Sequence, residues 1–286
     1  VQTKILDICR RNLAPQGVAY ISYNCYPGWH ARGAIREMLW YHTEQFTAPQ
    51  ERINQARALL AFLTSSLHQN ATTGGGGLTG YSALLQQELA LLLRTPDTYL
   101  LHEHLEEFNE PLYFHQFAQR AGEHGLQYLG EAQVSAMSAA KFGPETEQTL
   151  RQISPDLLHM EQYMDFLRNR MFRQTLLCHA DERLEHALKV DSVRDFYLAS
   201  PLKPTSKTPQ LAGEEPEEFS ASNLPKLTTH DPWLKAALVQ LAEIWPRRVS
   251  FPDLLTAAQA RLGKIPGQES PETTQKLRKR LVNCYL

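Results

Sequence analysis

The sequence contains few cysteines and no long apolar run. Its four cysteines, Cys9, Cys25, Cys178 and Cys284, are far apart and form no Cys-x-x-Cys pair. This spacing favours reduced thiols over zinc ligands or a disulfide framework. No apolar run approaches the ~20 residues that a membrane-spanning helix requires, and no signal peptide is visible. We therefore expect a cytoplasmic chain without a membrane span and without a metal site.

The chain also lacks a strong excess of charge of either sign. Its 29 basic and 31 acidic residues give a net charge of -2, and the isoelectric point is about 6.6. This balance excludes a global attraction to nucleic acid or to anionic membranes. With 286 residues and 42% hydrophobic residues, the chain can form two domains of ordinary size.

The first thirty residues predict a helix, a strand, a loop and a second helix. The helical pattern of residues 1–13 stops at Pro15 and Gly17, and the β-branched and aromatic run Val18–Tyr23 then predicts a strand. This order is the unit from which parallel α/β sheets are built. Because one strand cannot form a parallel sheet, we expect this chain to be the later part of a larger protein.

Three segments carry a resemblance to a known family. They are Leu-Ala-Pro-Gln-Gly-Val-Ala-Tyr-Ile-Ser-Tyr-Asn-Cys-Tyr-Pro-Gly-Trp-His at 13–30, the segment from Asn-Glu-Pro-Leu-Tyr-Phe at 109–114 to Gly-Leu-Gln-Tyr-Leu-Gly-Glu-Ala at 125–132, and Asp-Phe-Leu-Arg-Asn-Arg-Met-Phe-Arg-Gln-Thr-Leu-Leu at 165–177. Together they resemble class I S-adenosylmethionine-dependent methyltransferases with an appended methyltransferase regulatory domain. Bacterial protein-lysine methyltransferases belong to this branch.

The resemblance implies S-adenosylmethionine as the cofactor of the intact protein, bound outside this chain. The Gly-rich cofactor loop of the family should lie before residue 1. The only glycine cluster here, Gly74–Gly77, follows a polar segment rather than a strand, which is typical of a flexible loop between helices. We therefore expect no cofactor-binding residues on this chain, and no catalytic competence when it is alone.

The predicted fold class is mixed and mostly helical, with four parts. Residues 1–134 are expected to form a partial Rossmann-like α/β remnant with a helical insertion at about 31–105. An α+β middle or regulatory domain is expected at 135–202, and the Pro-, Ser- and Glu-rich segment 203–226 predicts a linker. Three helices at 227–286 predict a winged-helix-like module, which the family resemblance also implies and which could be truncated.

The first candidate site follows the predicted strand. Open α/β sheets bind ligands beyond the carboxyl ends of their parallel strands. Tyr23, Asn24, Tyr26, Trp29 and His30 offer aromatic walls and polar groups suited to an extended lysine side chain. The structural alternative is that Tyr23 and Trp29 only cover the sheet edge and the start of the next helix.

A second candidate is the His102-Glu103-His104 segment. Alternate histidines can bind a metal from a strand, but no third ligand stands at a useful spacing, so the pattern favours the end of a surface helix. The family resemblance makes the carboxylates of Glu103 and Glu110 candidates for lining a substrate pocket.

Basic residues occur in two groups. Arg168, Arg170 and Arg173 are expected on an ion-paired helix face, with Asp165 pairing to Arg168 or Asn169; docking of an acidic substrate is the functional alternative. The run Lys276–Arg280 could contact phosphates, but the acidic balance of the chain argues against nucleic acid as a partner.

The leading hypothesis is the C-terminal, regulatory part of a methyltransferase. We expect it to contribute substrate positioning and homo-oligomerisation through the helical insertion, for which an intramolecular helical bundle is the structural alternative. The family resemblance implies a protein lysine as the acceptor, and a small-molecule acceptor is the alternative. The alternative is a non-catalytic module that binds protein or nucleic acid.

Overall fold

The computed structural model describes residues 2–72, 80–186, 189–265 and 270–285. The chain folds as two units, which are described separately. The first unit comprises Val1–Gln133 and Ala139–Glu182, and the second comprises Val134–Ser138 and Arg183–Leu286.

The first unit contains eight α-helices and three strands among the described residues. They are α1 (Gln2–Asn12), β1 (Ala19–Asn24), α2 (Trp29–Thr43), α3 (Pro49–Thr72), α4 (Gly80–Leu92), α5 (Asp97–Tyr99), α6 (Phe114–Glu123), β2 (Leu126–Glu131), α7 (Pro144–Ile153), α8 (Leu157–Arg168) and β3 (Phe172–His179). A π-helical turn, Leu100–His104, continues α5, and a 3₁₀ turn, Ala139–Phe142, precedes α7.

The sheet of this unit has the order β1-β3-β2. Strand β3 pairs antiparallel with both neighbours, so β1 and β2 run in the same direction on either side of it. The predicted strand at residues 18–23 is confirmed as β1, and its neighbour among the described strands is antiparallel. A single parallel bridge, Cys25 with Leu112, extends β1 beyond its end.

Strand β3 also changes the expected domain boundary. The sequence placed residues 135–202 in a separate middle domain, whereas residues 139–182 belong to the first unit. The reason is that β3 supplies the central strand between β1 and β2. Hydrophobic periodicity reveals a strand but not its partner, and these partners lie more than 40 residues earlier in the chain.

Two of the three apolar clusters found among the described residues of the first unit involve its sheet and its helical segment. One joins the sheet to α1 and α6 through Leu6, Phe117, Leu126 and Leu177. The other lies among α2, α3 and α4, in the helical segment predicted at 31–105. The glycine cluster Gly74–Gly77 lies outside the described residues.

Local signals mark the ends of two helices of this unit. Gly125, after α6, has φ 71°, the left-handed conformation that closes helices, and Leu126 follows it in the core. Asp156 caps the start of α8 by accepting a hydrogen bond from the His159 N–H.

The second unit contains five short strands and three helices among its described residues. They are β4 (Tyr197–Leu198), β5 (Lys203–Pro204), β6 (Glu217–Ser220), β7 (Leu227–Thr229), α9 (Pro232–Ile244), β8 (Val249–Ser250), α10 (Phe251–Arg261) and α11 (Pro271–Tyr285). Two 3₁₀ turns, Val134–Met137 and Val190–Asp195, complete it. The three helices match the sequence prediction, and the winged-helix assignment stays a prediction.

The segment predicted as a linker is folded. Residues 203–220 supply β5 and β6 of an antiparallel sheet with β7, and Phe219 is fully buried in the core beside α9. Lys235 explains how an acidic, Pro-rich segment is held in place. It is fully buried, and its Nζ donates to the backbone carbonyls of Gln210, Gly213 and Glu215, each at 3.0 Å.

Among the described helices, each is too short or too polar to cross a bilayer.

We expect Lys235→Met to destabilise the second unit by about 2 kcal/mol, because a buried ammonium loses three charge-assisted hydrogen bonds. Denaturant unfolding gives the stability, and hydrogen exchange should rise over residues 210–215. Lys226→Met is the matched control, since Lys226 is exposed and makes only an ion pair with Glu218. Equal stability of the two variants would contradict this role.

Candidate functional site

The candidate site lies where β1 ends and the chain turns into α2. The 109–113 segment runs beside this turn: Leu112 donates its N–H to the Asn24 carbonyl at 3.2 Å, and the Tyr26 N–H donates to the Leu112 carbonyl at 3.1 Å. The backbone of the turn is therefore held from one side by the segment that precedes α6.

The other side of the turn is held by the segment before β3. The Cys25 N–H donates to the Met171 carbonyl and the Gly28 N–H to the Arg170 carbonyl, both at 2.9 Å. A Cβ on Gly28 would lie 2.6 Å from the Asn169 oxygen and 2.7 Å from the Arg170 oxygen. This position therefore requires glycine because two backbones meet there.

A polar cluster of Asn24, Glu103 and Asn109 forms at the end of β1. The Asn24 side-chain amide donates to the Glu103 carboxylate at 2.9 Å and to the Asn109 side-chain oxygen at 3.3 Å. Asn109 in turn donates to the backbone carbonyl of Glu103 at 3.0 Å. The cluster fixes a carboxylate that is only partly buried, and it can receive the ammonium group of a substrate.

An aromatic cluster of Tyr26, His30 and Tyr113 lies on the following turn. The Tyr26 ring stacks on His30 with centroids 4.3 Å apart, and it lies 5.2 Å from the Tyr113 ring. The His30 Nε2 and the Tyr113 hydroxyl are 2.9 Å apart. Partly exposed aromatic faces of this kind attract cations and exclude water from an alkyl chain.

Two predicted site residues pack against the interior instead: Trp29 is buried, and Tyr23 is partly buried against the apolar cluster of the sheet. Tyr23 stacks on Phe117 with centroids 4.1 Å apart, and burial raises the pKa of its hydroxyl above the usual range. Trp29 is 2% exposed and stacks on His104. Both therefore follow the structural alternative, and Asn24, Tyr26, His30 and Glu103 remain as surface groups of the site.

The histidine segment differs from a surface helix end at one position. His102 is exposed, whereas His104 is fully buried on the π-helical turn. Among the described residues, neither ring nitrogen of His104 has a hydrogen-bond partner. Burial, with the charges of Arg32 and Arg36, lowers its pKa to about 4. His104 is thus a neutral ring packed between Trp29 and Tyr99. No three metal-ligating side chains come together within the described residues.

Beneath the site lies a buried charge network centred on Arg173, which is fully inaccessible. Its guanidinium donates to Glu131 at 2.6 Å, to Asp165 at 2.7 and 3.0 Å, and to Glu161 at 2.9 Å. Arg170 adds a second bond to Glu131 at 2.6 Å. This network joins β2, α8 and β3, and through Arg170 it reaches the Gly28 turn.

Burial and the neighbouring charges together set the protonation of the side chains in this network. Burial raises the pKa of Glu161 and of Asp165 despite their bonds to Arg173. Burial alone would lower the pKa of Arg173, but hydrogen bonds and attraction from Asp165, together with Glu131, hold it above its ordinary value. Arg173 therefore stays charged, and it also lies over the Phe114 ring at 3.8 Å.

The network corrects two sequence expectations. Asp165 pairs with Arg173 and Arg170, whereas the sequence assigned it to Arg168 or Asn169. The three arginines do not share one helix face as predicted, because α8 ends at Arg168 and Arg173 lies on β3.

The thiol of Cys25 is not a reactive thiolate, since burial raises its pKa to about 12.

Three of the four basic residues on α11 are engaged with carboxylates. Lys276 pairs with Glu272, Arg278 with Asp191 and Arg280 with Asp231. Pairing of this kind lowers the charge that α11 can present to phosphates.

The comparisons with known proteins concern the family of the chain. Residues 96–179 match the family described as a predicted methyltransferase regulatory domain. Over these residues the chain is similar to that family. This region supplies Glu103, Asn109 and Tyr113 to the site, together with all five charged members of the Arg173 network.

Similar proteins extend the likeness over nearly the whole chain. The structure of PKMT2 from Rickettsia typhi superposes with a TM-score of 0.80 at 32% identity, covering 99% of this chain and 53% of that one. The same protein in complex with AdoHcy gives a TM-score of 0.79 at 34% identity, covering 98% and 52%. The resemblance to methyltransferases with a regulatory domain is therefore confirmed.

Sequence relatives show the same partial coverage. The Rickettsia prowazekii protein RP789 is 36% identical over 267 residues, covering 92% of this chain and 47% of the relative. The Synechocystis protein sll1526 is 26% identical over 204 residues, covering 70% and 38%. The chain thus spans about half the length or less of the relatives that it matches.

Sequence reasoning missed Asn109 and Tyr113 as site residues. Both lie within a segment that carried the family resemblance, but no local pattern places that segment beside the end of β1. Glu110, which the resemblance offered as a pocket group, is exposed, and its backbone carbonyl accepts a hydrogen bond from Gln2.

We expect Arg173→Met to destabilise the protein by about 3–5 kcal/mol, because three buried carboxylates lose their shared cation. The deficit relative to wild type should shrink as the pH falls from 7 to 5, since protonation relieves the repulsion. Chemical unfolding at several pH values measures both effects. Arg151→Met, which removes an exposed i,i+4 pair, should cost less than about 0.5 kcal/mol. A small, pH-independent loss for Arg173→Met would refute the network's role.

His104 predicts a second pH dependence. Because its pKa is lower in the folded protein than its ordinary value of 6.5, the unfolded chain binds an extra proton between pH 6.5 and 4. The stabilisation is therefore complete above about pH 6.5 and is lost as the pH falls toward 4, by on the order of 3 kcal/mol. His104→Phe should remove this part of the pH slope. Identical slopes for the variant and wild type would contradict it.

Proposed function

We propose that this chain works within a class I S-adenosylmethionine-dependent methyltransferase and positions the methyl acceptor. The proposal rests on the polar and aromatic clusters, on the regulatory-domain match and on the likeness to PKMT2, a protein lysine methyltransferase that was solved with AdoHcy. AdoHcy is what remains of S-adenosylmethionine after its methyl group has been transferred.

The acceptor that fits the two clusters is a protein lysine. An ammonium group entering at the end of β1 is attracted by the carboxylate of Glu103, which Asn24 holds in place. The methylene chain then lies against the rings of Tyr26, His30 and Tyr113. Methyl transfer requires the uncharged amine, aligned with the sulfonium methyl group of the cofactor. Orientation and removal of water are the contributions of this chain.

The remaining part of the catalytic sheet is proposed to pair along β1. This strand lies at the edge of its sheet, with β3 as its one neighbour among the described strands. Apolar side chains beside that edge are exposed, including Val18 at 51% and Tyr20 at 53%. Exposed sheet edges of this kind are usually covered by another segment, which is where the cofactor-binding part of the methyltransferase would lie.

Homo-oligomerisation through the helical segment is part of the same proposal. Its helices leave large apolar side chains in contact with solvent, among them Phe62 at 64% and Leu91 at 48% exposure. Such residues are typical of a surface that another subunit covers. The ion pairs on α11 weigh against the alternative of a nucleic-acid module.

In the intact protein we expect Glu103→Gln to lower kcat/KM for lysine methylation by about 100-fold, and Tyr26→Ala to lower it by about 10-fold or more. Both changes remove contacts that we propose position the acceptor amine for transfer. Affinity for AdoHcy should stay within about threefold of wild type. Radiolabelled methyl transfer and calorimetry measure the two quantities.

Glu107→Gln is the matched control, because Glu107 lies four residues after Glu103 on the same segment and its side chain is exposed. It should retain wild-type turnover. Wild-type turnover of both Glu103→Gln and Tyr26→Ala would exclude the two clusters as the acceptor site. If the variants lost affinity for AdoHcy in proportion to their turnover, these residues would act on cofactor binding instead of acceptor binding.

A further inference from the structure

A groove of about 520 Å³ lies between α6 and α8, outside the polar and aromatic clusters. Its size is within the range of ligand-binding clefts in proteins. Its walls are mainly apolar, with Ala118 on α6 and Leu158, Tyr163 and Phe166 on α8. None of the roles described above uses this groove.

Gln162 places an unpaired donor at the wall of the groove. Its side chain is 6% exposed, and its Oε1 accepts from the His115 N–H at 3.1 Å and lies 2.9 Å from His115 Nδ1. Its Nε2 is buried and has no hydrogen-bond partner in the part of the chain that the structure describes. An unpaired buried donor is costly, and a carbonyl oxygen bound beside it would remove that cost.

The groove is continuous with the aromatic cluster. The Tyr113 ring stacks on His115 with centroids 5.5 Å apart and meets the edge of Phe166 at 5.9 Å. Because Tyr26 lies 5.2 Å from Tyr113, Tyr26 and Phe166 are at most about 11 Å apart. An extended peptide covers that distance in about three residues at ~3.4 Å each.

We propose that this groove binds the peptide that carries the acceptor lysine, taking an apolar side chain about three residues from the lysine. The inference rests on the proposed function and adds a specificity site to it. Apolar walls suit a leucine-like side chain, and the Gln162 amide suits a backbone carbonyl, so a peptide satisfies both features. A carboxylate is absent from the lining residues, which does not favour a second basic side chain as the occupant.

The test uses the intact protein with a set of peptides. Each peptide has one central lysine in a Gly/Ser background, and a single leucine is moved from position -4 to +4. We expect leucine at one position near three residues from the lysine to raise kcat/KM by at least about tenfold over the all-Gly/Ser peptide. Fluorescence polarisation with labelled peptides, in the presence of AdoHcy, measures binding independently of methyl transfer.

Three variants assign the preference to the groove. Leu158→Ala removes an apolar side chain from the wall of the groove. Gln162→Glu keeps a side-chain oxygen that accepts the hydrogen bond from His115, but it replaces the unpaired Nε2 donor with a second oxygen. Both should reduce the leucine preference to less than about threefold. Leu167→Ala is the matched control on the same helix, because Leu167 is 54% exposed and lies outside the lining. It should keep the wild-type preference.

The outcomes separate this inference from the proposed function. Leucine-dependent binding that Leu158→Ala abolishes, without methylation of any peptide, would support the groove and refute the proposed reaction. The groove would be refuted as a peptide site if lysine peptides were methylated with no preference for leucine. It would also be refuted if both groove variants retained that preference. In either case the proposed methylation reaction would remain supported. Thermal unfolding of each variant verifies that the protein is folded.

Discussion

The first unit depends on keeping one guanidinium charged in its interior. Arg173 is inaccessible to water and bonds to Glu131, Glu161 and Asp165. Separating these groups would leave buried carboxylates without a cation, which costs far more than an exposed ion pair contributes. The pairing therefore links β2, α8 and β3 into one arrangement, because any other register would leave a charge unpaired.

The same network determines where the candidate site lies. The backbone between Arg170 and β3 receives the Cys25 and Gly28 N–H groups, so the turn after β1 is held against the network. On its other side this turn is bonded to Leu112, inside the matched regulatory domain. The polar and aromatic clusters are thus shared between the β1–α2 turn and the regulatory domain. The domain contributes directly to the surface that we propose receives the acceptor.

Local chemistry made several features predictable. Val18–Tyr23 is β-branched and aromatic between breakers, and the structure has β1 there. Local chemistry also accounts for the left-handed Gly125 after α6 and for Ser250, whose side chain accepts from the Asp253 N–H at the start of α10. Asn24, Tyr26 and His30 were foreseeable because they follow a strand end, and Glu103 because its segment resembled the family.

By itself the sequence therefore determined the short-range structure and the family, since capping, periodicity and motif residues act within a few positions. Only the tertiary structure decided that β3 enters between β1 and β2 and that Lys235 holds the segment predicted as a linker through three hydrogen bonds. It also decided that Trp29 is buried and that Tyr23 packs against the apolar cluster of the sheet. It also brought Asn109 and Tyr113 to the site. These outcomes depend on pairing between residues far apart in the chain, where burial and charge neutralisation select a partner that no local pattern specifies.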